Sequence, residues 1–292
     1  MQNVSFPLWD YHVHSKRCGH AVGKLSAYVQ RAIDLGLKEI GLSDHFPMFF
    51  LPPEAHAEQF AMKRDEFPEY LAECQHLQKQ FSAQIRIKIA SEVDFFPDSN
   101  AMKKLLQELR KFLDRLDYII GSIHIIQVDD NTPFAVDSPD IFEHFKHYGE
   151  ETIFSEYYHS MIELVRMGIY QIVGHCDLPK KYGTYLGKTP SIWEMKLKFL
   201  DEVKLHPNMA VEINHSGLYK PVGEQYPHDK MIEALIEREI PIVFGSDAHR
   251  PKDVGYQFRE TFQKCRKFAK KLDKPLILAK FTRQQLEPVI ID

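Results

Sequence analysis

Short runs of aliphatic and β-branched residues alternate with longer amphipathic segments along the whole chain. The runs predict strands at Leu8–His12, Glu39–Ser43, Ile85–Glu92, Tyr118–His124, Ile169–His175, Ala210–Asn214 and Ile240–Asp247. Several are apolar almost throughout, as in Ile240-Pro241-Ile242-Val243-Phe244-Gly245, which suits strands covered on both faces of a parallel sheet. Between them, Leu25, Val29, Ala32 and Ile33 mark one face of a helix that Gly36 is placed to end. Met102, Leu105, Leu106, Leu109 and Leu113 mark a second helix. Phe154, Tyr157, Tyr158, Met161, Leu164 and Val165 mark a third, stopped at Gly168, and Met231, Ile232, Leu235 and Ile236 a fourth. These stripes read as core packing rather than cofactor contacts.

Such alternation implies right-handed βαβ units around one parallel sheet. Seven units precede the Pro275–Leu278 run, with no linker rich in Gly, Ser or Pro. That pattern favours a closed or distorted α/β barrel over an open sheet, and one domain over residues 1–292. Two connections are long, Phe46–Phe60 with Pro52-Pro53 and Gln127–Gly149. In barrels, such connections after strands carry lids and substrate contacts.

Composition narrows the class. With 44% hydrophobic and 27% charged residues in 292, the chain has the make-up of an ordinary folded protein. A net charge of −4 supplies no overall field for nucleic acid. No run approaches the roughly 20 apolar residues that cross a bilayer, and Met1–Asp10 lacks a basic start followed by an apolar core. Cys18, Cys74, Cys176 and Cys265 lie far apart with no CxxC pair, which argues against a zinc knuckle or a disulfide framework and for the reducing cytoplasm. The 15 histidines are the unusual count, and their positions change the picture.

Strand one ends Asp10-Tyr11-His12-Val13-His14, and residues i and i+2 of a strand share a face, so both imidazoles can converge on one ion. The same chemistry recurs. Ser43-Asp44-His45 ends strand two, Ala90-Ser91-Glu92 strand three, Gly121-Ser122-Ile123-His124 strand four and Val173-Gly174-His175 strand five. Gly245-Ser246-Asp247-Ala248-His249 ends strand seven, and His20 lies in the loop after strand one. His12, His14, His20, His45, Glu92, His124, His175, Asp247 and His249 thus fall on one rim of a parallel barrel, where active sites are built. Buried there without a cation, Glu92 and Asp247 would be a costly like-charge pair. Nine ligands exceed the three or four that one catalytic zinc uses, enough for two or three divalent ions with open positions. Imidazole with carboxylate suits Zn, Fe or Mn. His56, His76, His144, His147, His159, His206 and His228 lie away from strand ends and read as surface or packing residues. His215, in Glu212-Ile213-Asn214-His215-Ser216-Gly217 after strand six, is open to either reading.

These residues resemble the PHP (polymerase and histidinol phosphatase) family. HxH, a following His, a strand-two SDH, a strand-three Glu, two single histidines and a final DxH appear in the family's order from His12 to His249. The resemblance implies a distorted, TIM-like parallel (βα)7 barrel with a trinuclear metal centre at the C-terminal ends of the strands. By motif, His12, His14, Glu92 and Asp247 would hold the first ion, and Glu92 would bridge to a second held by His124 and His175. His20, His45 and His249 would hold the third. The histidinol-phosphatase branch is nearest, on His14-Ser15 through Cys18-Gly19-His20, Ser43-Asp44-His45-Phe46-Pro47, Glu212 through Leu218 and Ser246-Asp247-Ala248-His249. His215 departs from it, where that branch is expected to have Thr.

The branch implies hydrolysis of L-histidinol phosphate to L-histidinol and phosphate in histidine biosynthesis. Glu92, His124 and Asp247 would act through a hydroxide bridging the ions. A phosphate also calls for fixed cations: Arg17 lies between His14 and His20, Arg250 follows His249, and Lys180 and Lys181 follow His175. Asn214, with Asp177 and Glu212, is positioned to meet the amine and imidazole of the substrate, and Asp44 to orient a neighbouring ligand. No Cys or Ser with an adjacent base is evident, so no covalent phosphoenzyme is expected. The expected partner is a small phosphomonoester, with no nucleic acid and no membrane; a homo-oligomer stays open. The alternative is a PHP-type phosphodiesterase or nuclease acting on a small nucleotide or a nucleic-acid end, against which stands the lack of a Lys/Arg stripe. An amidohydrolase also uses HxH and a late Asp, but usually bridges its ions through a strand-four Lys, where the candidate here is Glu92 on strand three. A metal-binding scaffold with a retired site is disfavoured by the intact ligand set.

Overall fold

A computed structural model describes residues 9–51, 59–129 and 132–291. Leu8, Pro52-Pro53 and His56 lie outside the described residues. The seven expected strands form as β1 (Trp9–Asp10), β2 (Glu39–Leu42), β3 (Arg86–Asp94), β4 (Tyr118–Ser122), β5 (Ile172–Val173), β6 (Ala210–Asn214) and β7 (Ile242–Gly245). Each pairs in parallel with the next. The sheet then closes on itself. Tyr11 N donates to Phe244 O at 3.1 Å, His14 N donates to Ala248 O at 3.0 Å, and Val13 bridges Ala248 in parallel. β2, β4, β6 and β7 are buried at every residue, as strands covered on both faces must be.

Most ladders stop short of the apolar runs that predict them, and the reason is chemical. Near the C-terminal rim, side chains replace strand carbonyls as acceptors. Val13 N donates to Ser43 Oγ at 3.1 Å, Ser15 N to Asp44 Oδ2 at 3.1 Å, and His175 N to Glu212 Oε2 at 2.9 Å. These amides keep a hydrogen bond while the strands leave regular register, which distorts the barrel where the histidines gather.

Eight helices cover the sheet among the described residues: α1 (Leu25–Asp34), α2 (Phe67–Gln80), α3 (Ser99–Leu109), α4 (Ile141–Tyr148), α5 (Glu150–Arg166), α6 (Pro190–Lys204), α7 (Asp229–Glu237) and α8 (Phe258–Leu272). The four expected stripes are the buried faces of α1, α3, α5 and α7. One boundary differs: α3 ends at Leu109, and Leu113 opens a separate short turn, Leu113–Arg115. The intervening Phe112 packs edge-on against Phe67 of α2 at 5.1 Å, which turns the chain toward β4. Within the long 127–149 connection, Phe134–Ala135 pairs antiparallel with Ile125–Ile126 before α4 begins. No described helix is long and apolar enough to cross a membrane.

The Pro275–Leu278 run belongs to a hairpin of β8 (Leu276–Thr282) and β9 (Gln285–Ile291). β8 touches β7 at one parallel pair, Leu278 with Ile242, and crosses the N-terminal end of the barrel. There Trp9 Nε1 donates to Ala279 O at 3.0 Å, Gln284 N donates to Asp117 O at 2.7 Å, and the Phe281 ring packs 5.9 Å from that of Tyr118. Tyr118 lies so close to β2 that a Cβ on Gly41 would overlap its hydroxyl. The hairpin end of the barrel is therefore filled by aromatic rings among the described residues, and the cavity of the barrel lies at the opposite end.

Lys196 of α6 is fully buried, and its Nζ has no hydrogen-bond partner among the described residues. It rests 5.8 Å from the rings of Phe154 and Tyr158. Burial, with repulsion from Lys180, pulls its ammonium down from 10.5 to about 8. Between those two pH values the unfolded chain holds the proton that the folded chain has lost, so this one group's contribution to stability rises from about pH 8 to 10.5. The buried thiols of Cys18, Cys74, Cys176 and Cys265, all pushed up by burial, act the opposite way at the alkaline end. Chemical denaturation across that range should therefore show the wild type gaining stability relative to Lys196→Met as pH rises.

Candidate metal centre

The HxH and DxH segments face each other because Val13 and Ala248 are bridge partners. Their side chains point one way, so His12, His14, Asp247 and His249 point the other, into the barrel. Asp247 reaches this position from a left-handed backbone (φ 50°), which an Asp tolerates better than a branched residue. A second bridge, His45 with Glu92, aligns the ends of β2 and β3. Glu92 becomes the hub. Its Oε2 lies 3.1 Å from His12 Nε2, 3.4 Å from His14 Nε2 and 3.2 Å from His45 Nδ1. Its Oε1 lies 3.0 Å from His175 Nε2 and 3.9 Å from His124 Nε2. Asp247 Oδ1 lies 3.0 Å from His14 Nε2.

All nine expected ligands gather at the C-terminal rim. Seven of them (His20, His45, Glu92, His124, His175, Asp247 and His249) line a cavity of ≈ 420 Å³, with His12 and His14 buried beneath. Two trios, His12 with His14 and Asp247, and Glu92 with His124 and His175, each bring their ligand atoms within 4.8 Å of one another. The grouping expected for the third ion is split: His45 and His249 group with His14, while His20 and His249 group with Cys18.

The donor set fits divalent cations. His12 Nε2, both ring nitrogens of His14, His45 Nδ1 and His175 Nδ1 are buried without hydrogen-bond partners. Burial pushes His45 well below its ordinary value and His249 down to about 3, so these imidazoles keep their lone pairs. Burial alone would raise the two carboxylates. The imidazoles outweigh it and hold both well below the usual range, chiefly His45 and His12 for Glu92, and His12 and His14 for Asp247.

Further acids fix the rings. His12 Nδ1 meets Glu212 Oε1 at 2.7 Å and His124 Nδ1 meets Asp94 Oδ1 at 2.6 Å, which turns each Nε2 inward. His14 Nδ1 lies 3.4 Å from Asp44 Oδ1, an approach without a hydrogen bond. A Cβ on Gly245 would overlap Glu212 and His12, so a glycine is needed where that pair crosses β7. Asp94 was legible as the i+2 neighbour of Glu92 on one strand face. Glu212 was expected to meet substrate, but it is buried behind His12.

Three of the four expected substrate contacts lie elsewhere. Arg17 is drawn outward to α2, 2.9 Å from Glu73 and 3.9 Å from Glu69. Lys180 is buried and clamped by Asp177 at 3.1 Å, Glu224 at 2.9 Å and Gln225 O at 2.8 Å. Asn214 is buried, its amide donating to Glu212 Oε2 at 3.0 Å and Asp247 Oδ2 at 3.3 Å. Arg250 does line the cavity, paired with Asp253 at 2.7 Å. The other cations of the wall are Lys181, 2.9 Å from Asp137, and Lys220, which sequence reasoning missed. Lys220 has no acidic partner among the described residues; its ammonium lies 5.7 Å from the Tyr219 ring. His215 packs between Phe244 and Phe258, and burial pushes it down to about 3, which makes it a packing residue.

Residues 10–216 match the PHP domain family and residues 225–261 a PHP-associated family. A Deinococcus radiodurans protein named "Probable histidinol-phosphatase" is 34% identical over 259 residues, 89% of this chain and 93% of that one. The Bacillus subtilis histidinol-phosphatase is 29% identical over 273 residues, 88% of this chain and 98% of that one. Among solved structures, Lactococcus lactis histidinol phosphate phosphatase, complexed with zinc, L-histidinol and phosphate, superposes with a TM-score of 0.74 at 24% identity, covering 97% of this chain and 100% of that one. A Listeria monocytogenes structure superposes with a TM-score of 0.77 at 23% identity, covering 86% and 99%. At these identities the likeness is one of fold, and it bears out the TIM-like α/β architecture.

The ring-fixing acids predict a measurable effect. Glu212→Gln and Asp94→Asn should each lower divalent-metal affinity by about 10–100-fold, read by competition with a chromogenic chelator, while far-ultraviolet circular dichroism stays unchanged.

Proposed function

The chain belongs to the PHP domain family, and from that premise we propose that it is a metal-dependent phosphomonoesterase that hydrolyses L-histidinol phosphate to L-histidinol and phosphate, a step of histidine biosynthesis. The observation that carries this reading is Glu92, whose two oxygens face separate sets of imidazoles at the base of one cavity. Two or three divalent ions, zinc, iron or manganese, would be held there by His12, His14, Asp247, Glu92, His124, His175, His45, His20 and His249. When bound, such ions supply a nucleophile at neutral pH and neutralise phosphoryl oxygens.

The chain's own residues do the rest. Glu92 turns one oxygen to each of two sets of imidazoles; with His12, His14 and Asp247 it would hold one ion, and with His124 and His175 a second. Lys220, Lys181 and Arg250 present positive charge to the phosphoryl group from the cavity wall. Lys220 is the most available of the three, since Lys181 is engaged by Asp137 and Arg250 by Asp253. Asp137 and Asp253 offer carboxylates for the ammonium and imidazole of the leaving alcohol. The size of the cavity suits a small molecule rather than a polymer, and residues 1–292 would act as a single domain. The four unpaired thiols fit a cytoplasmic setting.

Phosphate release from a panel of phosphomonoesters, beside p-nitrophenolate release from bis-p-nitrophenyl phosphate, after metal stripping and reloading, tests the reading. Metal-dependent turnover should be fastest with histidinol phosphate; a flat response to it, or preference for the diester, contradicts the assignment. His124→Ala should lower kcat at least a hundredfold, about 2.7 kcal/mol in the barrier. Lys220→Ala should raise KM about tenfold, about 1.4 kcal/mol.

A further inference from the structure

His20 and His249 meet in an arrangement that a protein alone does not favour. His20 Nδ1 faces the carbonyls of Cys18 at 2.9 Å and Gln59 at 3.2 Å, and His249 Nδ1 faces the carbonyl of Asp247 at 3.0 Å. A carbonyl only accepts, so each ring carries its proton on Nδ1 and turns an unprotonated Nε2 inward. Those two Nε2 atoms lie 2.8 Å apart. Two lone pairs at that distance repel unless a proton or a metal ion sits between them. A third donor closes the group: Cys18 Sγ, fully buried, is 4.0 Å from His20 Nε2, and the three ligand atoms lie within 4.8 Å of one another. In a tetrahedral site with zinc–nitrogen bonds of about 2.0–2.1 Å and a zinc–sulfur bond of about 2.3 Å, nitrogen and sulfur stand about 3.6 Å apart. The observed spacing is within a small side-chain rotation of that value.

We propose that Cys18 is a metal ligand, its sulfur joining His20 and His249 around one ion and making that position sulfur-containing, unlike the nitrogen and oxygen positions around Glu92. The inference rests on the metal-centre reading above and extends it by one residue and one chemical preference. On binding, a sulfur–metal bond forms and the thiol proton leaves to solvent. Cys18 also groups with His14 and Asp44. There, however, Asp44 Oδ2 already accepts from Ser15 N and Oγ, and His14 Nε2 faces Asp247, so the open valence lies toward His20. A thiolate ligand selects borderline-soft ions, so this position should favour zinc or cobalt(II) over manganese.

Cobalt(II) titrated into the metal-stripped full chain reads ligation directly. Visible d–d absorption reports uptake at any of the positions, and a near-ultraviolet sulfur-to-cobalt charge-transfer band reports a thiolate ligand. The wild type should show both. Cys18→Ser should keep the d–d absorption and lose the charge-transfer band, while Cys176→Ser, whose thiol neighbours His175, should keep both. Zinc-edge X-ray absorption of the zinc-loaded wild type should show a sulfur shell at about 2.3 Å, which needs no variant to fold. Uptake with no charge-transfer band and no sulfur shell, or a band that survives Cys18→Ser, overturns the role of Cys18 and leaves the remaining centre standing. No cobalt uptake at all overturns the metal centre and this inference together.

Discussion

Glu92, buried at the base of the cavity, faces five imidazoles at 3.0 to 3.9 Å, and Asp247 shares two of those rings. Two carboxylates withdrawn from water in this way carry a desolvation cost of several kcal/mol each unless positive charge is supplied nearby. Protonating every imidazole cannot supply it, because rings 4.3 to 5.0 Å apart, such as His14 beside His249 and beside His12, would then repel one another. Divalent cations among the rings would resolve the conflict. They would also turn the lone pairs of the buried imidazoles from orphaned groups into ligands.

The rest of the barrel follows from holding that cage. Ser43, Asp44 and Glu212 take over hydrogen bonds that a regular sheet would give to carbonyls, so the strand ends bend inward without losing backbone partners. Glu212 does two things at once. One oxygen fixes the His12 ring and the other accepts the His175 amide, which ties the two sides of the histidine cluster to the same side chain. At the far end, Tyr11, Tyr118 and Phe281 close the barrel, and Trp9 is bonded to the hairpin that seals it. Among the described residues, aromatic packing thus closes one end of the barrel and the histidine-lined cavity opens at the other.

The convergence of the nine residues was legible in the sequence because it depends on local geometry: i, i+2 alternation and the last residue of each apolar run place a side chain on the rim without knowledge of its neighbours. The seven strands and four of the helices were legible for the same reason. What was not legible depends on tertiary partners. Arg17 looked free beside the histidines, but Glu73 lies 56 residues away in sequence and 2.9 Å away in space. Lys180 is claimed by Glu224 in the same manner, and its neighbour Lys181 faces the cavity instead. β9 was hidden by Pro288, a residue that marks edge strands but reads as a breaker, and by a solvent-facing side rich in polar groups. The end of α3 and the pairing of Cys18 with His20 and His249 are likewise decided by packing against other elements.

Anomalous diffraction from crystals of the zinc-loaded protein, collected above and below the zinc edge, tests the central claim most directly. Discrete peaks should appear among the imidazoles, with the carboxylate of Glu92 between two of them. An empty difference map at full zinc exposure, or zinc bound only at surface histidines such as His76 and His206, would contradict it.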